Sequence, residues 1–164
     1  MTSPTPPLRV LALCLGNICR SPLAEALLRR ELEAAGVRAT VDSAGTGDWH
    51  VGRPADPRSA EVARTHGLVL NGRARQLTAQ DFTDFDVIVA MDAQNLHDAR
   101  QLAPVDARAS LHLMREWDAQ APGADVPDPY YGGSDSDGLG GFETVYAMLE
   151  RSAQAFAAQR KRAD

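Results

Sequence analysis

The amino-acid sequence predicts an α/β protein of three layers, with helices on both faces of a central four-stranded parallel sheet. Short apolar runs of strand length alternate along the chain with longer stretches whose apolar residues recur at helical spacing. The runs are apolar almost throughout instead of alternating with polar residues, as strands covered on both faces require. The 164 residues hold no internal repeat and no linker long enough to divide them. One domain over residues 8–162 is expected, after a disordered, proline-rich start at residues 1–7.

The elements follow in order. Leu8–Cys14 is a buried strand that ends in a loop containing Gly16 and Asn17. Ser21-Pro22 reads as an N-cap followed by proline at the first helical position. Ala24, Leu27, Leu28, Leu32 and Ala35 continue at helical spacing until Gly36 stops the helix. A second strand is expected at Ala39–Ser43. Asp56-Pro57 repeats the cap-and-proline start for a short helix ending at His66-Gly67. Asp86–Met91 is a third buried strand, and Asp92 caps a helix that stops before Pro104. Ser110–Met114 supplies the fourth strand. After a loop over residues 115–141, Phe142–Arg162 forms a last helix with Val145, Met148, Leu149, Ala153 and Phe156 along one side.

Composition narrows the function classes. Hydrophobic residues make up 44% and charged residues 24%, a globular balance that excludes global disorder. Seventeen basic residues against 22 acidic ones give a net charge of -5 with no basic stripe, which argues against nucleic acid as a partner. No apolar run approaches the ~20 residues of a membrane span. The start MTSPTPPLRV has no basic region ahead of an apolar one, so it does not read as a signal peptide. A soluble cytoplasmic protein is expected, which leaves secretion by another route open. All basic residues but Lys161 are arginine, a bias that points to a GC-rich bacterial source.

Chemistry concentrates in Cys14-Leu15-Gly16-Asn17-Ile18-Cys19-Arg20-Ser21-Pro22. Ligands of open α/β sheets bind at the carboxyl ends of the strands, where Cys14 falls. Backbone N–H groups of Leu15, Gly16, Asn17, Ile18 and Cys19, joined by those of a helix start, make an anion-binding concavity. Gly16 and Asn17 tolerate the left-handed angles such a turn needs. Arg20 offers a planar fork for two phosphate oxygens. A thiol at the bottom of this positive cradle is favoured as thiolate, a nucleophile for phosphoryl transfer. Ser21 is suited to donate a hydrogen bond to that sulfur. The C-x5-R spacing alone is weak, and a buried cysteine near an ordinary arginine competes with the catalytic reading. An aryl phosphate also needs a carboxylic acid for its leaving oxygen, and residue types alone do not choose among the 22 acidic residues.

Other signals fail on inspection. Gly45-x-Gly47 has His50 where a dinucleotide loop needs a third glycine. Asp135-Ser-Asp137-Gly138 starts like a calcium loop but carries Tyr146 at its twelfth position, so a solvated acidic loop is expected. The four histidines have no ligand spacing. Two cysteines four residues apart, with no second pair, are a poor metal site, and no metal is expected.

The stretch C-L-G-N-I-C-R-S-P-x-A-E resembles the phosphate loop of the low-molecular-weight protein tyrosine phosphatases. The resemblance runs from about Leu8 to Phe156. It includes Asp42-Ser43-Ala44-Gly45-Thr46, Arg73-Ala-Arg-Gln76, Met91-Asp92-x-x-Asn95 and Asp128-Pro129-Tyr130-Tyr131-Gly132. It implies that Cys14 is the nucleophile, Arg20 the phosphate clamp and Asp128 the general acid, then general base, of phosphotyrosine hydrolysis without a cofactor. Tyr130 and Tyr131 resemble one aromatic wall of the pocket and Trp49 the opposite one; surface tyrosines and a core tryptophan are the competing readings. Asn17 and Ser43 correspond to residues that hold the loop's shape, and Asp92 joins them. Eukaryotic members often carry a histidine just before Ala74-Arg75-Gln76, where this chain has Gly72 or Arg73. The resemblance also implies a reversible Cys14–Cys19 disulfide, a phosphoprotein substrate, and a monomer or weak homodimer.

Three alternatives stand beside this one. Arsenate reduction on the same fold typically needs cysteine near residues 80–90, and this chain has none after Cys19. Phosphoarginine hydrolases of the family carry threonine at the position of Ile18 and lack the paired tyrosines. A non-catalytic phosphate-binding relative would be missing a catalytic part, yet Cys14, Arg20, Ser21 and Asp128 are all present.

Overall fold

The computed structural model describes residues 5–130 and 140–163. Its elements are β1 (Leu8–Cys14), α1 (Arg20–Ala34), β2 (Ala39–Gly45), α2 (Pro57–Thr65), α3 (Asp81–Asp84), β3 (Val87–Ala90), α4 (Ala93–Leu102), β4 (Ser110–Leu113), a 3-10 turn (Met114–Trp117) and α5 (Gly140–Ala163). The four strands form one parallel sheet in the order β2-β1-β3-β4. Helices cover both faces, as expected of the α/β class.

The two faces are visible in β1. Val10, Ala12 and Cys14 point into a core shared with α1, α2 and α5, whose members include Leu23, Leu27, Leu28, Val62, Leu149 and Phe156. Leu11 and Leu13 alternate to the other face and meet Phe82, Ile88 and Ala99 beneath α3 and α4. Burying each leucine stabilises by about 1.5–3 kcal/mol. Leu23, Leu27, Leu28 and Leu32 therefore fix the roll of α1, and with it the turn between Cys14 and Arg20. Among the described residues no helix is long and apolar enough to cross a membrane.

Asp56 and Asp92 cap α2 and α4 as expected, accepting the N–H groups of Arg58 and Asn95, each at 2.8 Å. Ser21 does not cap α1. Cys19 occupies that position without a side-chain bond, Arg20 starts the helix, and Pro22 sits third. Proline is tolerated there because the first N–H groups of a helix have no internal acceptor. The hydroxyl of Ser21 is turned toward Cys14 instead.

β2 extends two residues past Ser43, because Gly45 still pairs with Cys14. Two elements had no sequence signal. α3 is one turn long, held at its start by Thr78 N–H donating to Asp81 Oδ2 at 2.8 Å. The 3-10 turn continues directly from β4, with Trp117 edge-on to Phe156 at 4.9 Å. α5 begins at Gly140, two residues ahead of Phe142. Tyr131, Asp135–Asp137 and residues 1–4 lie outside the described residues.

Candidate active site

A cavity of about 370 Å³ opens at the carboxyl end of β1, lined by Cys14, Leu15, Gly16, Ile18, Cys19, Arg20, Trp49, His50, Asp128 and Tyr130. Cys14 ends the central strand and is only 2% exposed. Its Sγ receives the N–H of Asn17 at 3.2 Å and lies 3.0 Å from Ser21 Oγ. Ser21 Oγ itself accepts from Asn17 Nδ2 at 2.8 Å. The hydroxyl hydrogen is thereby left for the sulfur, since a hydroxyl carries one donor.

Asn17 organises the turn. Its φ is +58°, a left-handed conformation that Asn adopts more readily than most residues. Nδ2 also donates to Ser43 Oγ at 2.9 Å, and Oδ1 accepts the Arg75 N–H at 3.0 Å. Ser43 passes its own hydrogen to Glu25 Oε1 at 2.7 Å. Asn17 and Ser43 are thus joined beneath the turn, and two further members of this network were not singled out from the sequence. Glu25 sits inside the quoted motif, and the backbone of Arg75 serves where a histidine had been sought nearby. Arg73 reaches Gly52 O instead, at 3.1 Å. The Arg75 guanidinium is clamped by Asp42 and Asp81, each at 3.1 Å.

Gly45 is a further requirement. A Cβ there would come within 2.7 Å of Leu15 O and 3.2 Å of Asn17 N, both backbone atoms. The end of β2 passes so close beneath the turn that no side chain fits.

Arg20 is 2% exposed. Nη1 donates to Asp92 Oδ2 at 2.7 Å and to Val126 O at 2.8 Å, while Nη2 lies 3.6 Å from Asp128 Oδ2. Burial works against its charge, but the negative charge at Cys14, then Asp92 and Asp128, push its pKa above the ordinary arginine value. Asp92 therefore caps α4 with one oxygen and anchors Arg20 with the other. The loop to Asp128 is tied down by Val126 N–H donating to Met91 O at 2.8 Å. Asp128 Oδ1 accepts the Tyr130 N–H at 3.0 Å, leaving Oδ2 on the side of Arg20.

The rim is aromatic. Trp49 is 68% exposed with its indole laid on Gly47, so it is a wall residue and not a core one. Tyr130 lines the cavity, and the His50 ring is tilted toward it at a centroid distance of 5.9 Å. Sequence reasoning missed His50, which had no ligand partner to mark it. Its ring lies on Gly16, and its Nδ1 is buried without a hydrogen-bond partner among the described residues.

Cys14 and Cys19 are both free thiols. Burial, then the charges of Asp56 and Cys14, push the Cys19 thiol far up, so it stays protonated. Among the described residues no cluster of His, Cys, Asp or Glu is arranged to hold a metal ion.

Residues 9–164 match the family model described as low molecular weight phosphotyrosine protein phosphatase. The low molecular weight phosphotyrosine protein phosphatase of Schizosaccharomyces pombe is 45% identical over 152 residues, which cover 91% of this chain and 94% of the relative. The low molecular weight protein-tyrosine-phosphatase of Streptomyces coelicolor is 47% identical over 147 residues, covering 87% of each chain. The crystal structure of Primo-1 superposes with a TM-score of 0.87 at 41% identity, covering 93% of this chain and 98% of that one.

Proposed function

This chain belongs to the low molecular weight phosphotyrosine protein phosphatase family, and from that premise we propose that it hydrolyses phosphotyrosine in protein substrates through a phosphocysteine on Cys14. The observation that carries the assignment is the convergence of three groups on one cavity: the Cys14 sulfur with its donated hydrogen bonds, the Arg20 guanidinium, and the Asp128 carboxyl group.

The phosphate dianion sits in the cradle of turn N–H groups, with Arg20 on its equatorial oxygens. Cys14 Sγ attacks phosphorus in line as the P–O bond to the phenol breaks, and Asp128 gives its proton to the departing oxygen. Asp128 then takes a proton from the water that attacks phosphorus, and Cys14 leaves as thiolate. Ser21 steadies that thiolate in both steps. Trp49 and Tyr130 flank the phenyl ring, and apolar Ile18 with Tyr130 suits an aryl ester better than a guanidinium ester. Asn17, Ser43 and Asp92 hold the cradle in shape.

The phosphatase domain spans residues 8–162. The protein is bacterial and cytoplasmic, a monomer or weak homodimer, and works without metal or organic cofactor.

Steady-state hydrolysis of para-nitrophenyl phosphate between about pH 4 and about pH 8, with EDTA present, tests the reading. An acid-side optimum indifferent to EDTA and abolished in Cys14→Ser is the expected result. Turnover undiminished in Cys14→Ser would refute the mechanism.

A further inference from the structure

The phosphate cradle and the proton donor come from distant parts of the chain, yet proton transfer requires the donor within hydrogen-bond reach of an oxygen the cradle holds. One tie is the Arg20 bond to Val126 O. A second runs through α2. The first turn of α2 is stitched to the cradle: the Asp56 N–H donates to Ile18 O at 2.8 Å, and Ser59 Oγ donates to Cys19 O at 2.9 Å. Arg58 projects from that same turn. Asp56 grips its guanidinium with both oxygens, at 3.0 Å to Nε and 2.9 Å to Nη2.

So held, Arg58 Cζ lies 5.5 Å from the centroid of the Tyr130 ring and 4.7 Å from that of Phe142. Both distances are within the range of cation–π attraction. Tyr130 follows Asp128 by two residues and donates its N–H to Asp128 Oδ1. Phe142 lies in the first turn of α5 and is fully buried. A capping pair alone accounts for Asp56 and Arg58; it does not require the guanidinium to meet two rings from either side of residues 131–139.

We propose that Arg58 is a positioning residue: clamped by Asp56 and seated against Tyr130 and Phe142, it holds the pocket wall and, through Tyr130, the Asp128 carboxyl group over the leaving oxygen. The inference rests on the phosphatase reading above and adds a residue that does not itself touch substrate.

Phenyl phosphate and para-nitrophenyl phosphate separate this role from a merely structural one. Phenol is the poorer leaving group, so its departure depends more on the proton from Asp128. In Arg58→Met, which keeps the stem and removes the charge, kcat/KM for phenyl phosphate should fall by about tenfold or more. That for para-nitrophenyl phosphate should fall by about threefold or less. Arg58→Lys, which keeps a cation near the rings, should recover most of the difference. In an Asp128→Asn background, Arg58→Met should leave the ratio of the two substrates unchanged, because the group it positions is gone. Equal losses on both substrates, no loss, or the same shift of the ratio without Asp128 would each overturn the role of Arg58 while leaving Cys14-dependent turnover intact. Turnover independent of Cys14 would overturn the phosphatase reading and this inference together.

Discussion

At the sulfur of Cys14, two donors do different jobs. The Asn17 N–H is fixed by backbone geometry, whereas the Ser21 hydroxyl rotates and is aimed only because Asn17 Nδ2 occupies its acceptor side. A hydrogen bond to a charged acceptor is worth about 1.5–3 kcal/mol, so Ser21→Ala should slow the chemistry by about ten- to a hundredfold. The step that suffers most is departure of the Cys14 thiolate from phosphorus. A pre-steady-state burst of nitrophenol followed by slow turnover is the expected record. A uniform loss with no burst would place the role of Ser21 elsewhere. Cys14, Arg20 and Ser21 stood out by residue type and by their place between a strand's end and a helix start, although their spacing alone was a weak signal. Asp128 was not separable from the other acids without the family resemblance. Val126, which holds Arg20 through a carbonyl oxygen, carries no signal in its side chain at all.

The turn joining β1 to α1 is an element held from below. Asn17 connects it to Ser43 on β2 and to the backbone of Arg75, and Gly45 yields the space for its carbonyl. Two separable costs follow from changing Asn17. Any replacement loses the side-chain bonds and strands Ser43 and the Arg75 N–H, at about 1–3 kcal/mol. Alanine also pays about 1–2 kcal/mol for the left-handed angle, which glycine does not. Melting temperatures should therefore fall in the order wild type, Asn17→Gly, Asn17→Ala, the two variants differing by about 2–8 °C. Equal melting of the two variants would show that the angle stores no strain. Sequence patterns found the elements better than their ends. Asp56 and Asp92 are caps because a carboxylate has acceptor sites enough to take a helix N–H while also holding an arginine. Ser21 looked equally suited, but its hydroxyl lies against the Cys14 sulfur, and the helix starts two residues earlier than that cap would set it. The single turn at Asp81–Asp84 and the 3-10 turn are too short for any periodicity to register.

Across the whole molecule, the acid-side optimum proposed above requires a fold that holds together as pH falls. Three carboxylates outside the reacting groups bear on this. Burial alone would raise the pKa of each, but paired arginines and backbone donors hold them below the usual carboxylate value. Asp56 is held by Arg58, Asp86 by the N–H and guanidinium of Arg9 with Arg108, and Asp118 by Arg151, the Gln120 N–H and Arg115. A carboxylate whose folded pKa is depressed binds its proton more weakly in the fold than in the unfolded chain, where the value is about 3.9. Its stabilisation is complete well above that value and is lost as pH falls through the folded one. Urea midpoints should therefore hold steady from neutrality to about pH 5 and decline steadily below it. Asp118, almost fully buried, ties the 3-10 turn to α5 through Arg115 and Arg151. Asp118→Asn should be less stable than wild type at neutral pH, with the gap narrowing once pH falls below the unfolded carboxylate value of about 3.9 and closing as it passes through the lower folded one, because protonation makes the wild-type residue equally uncharged. Parallel curves over that range would show that the pairing of Asp118 contributes through packing and not through charge.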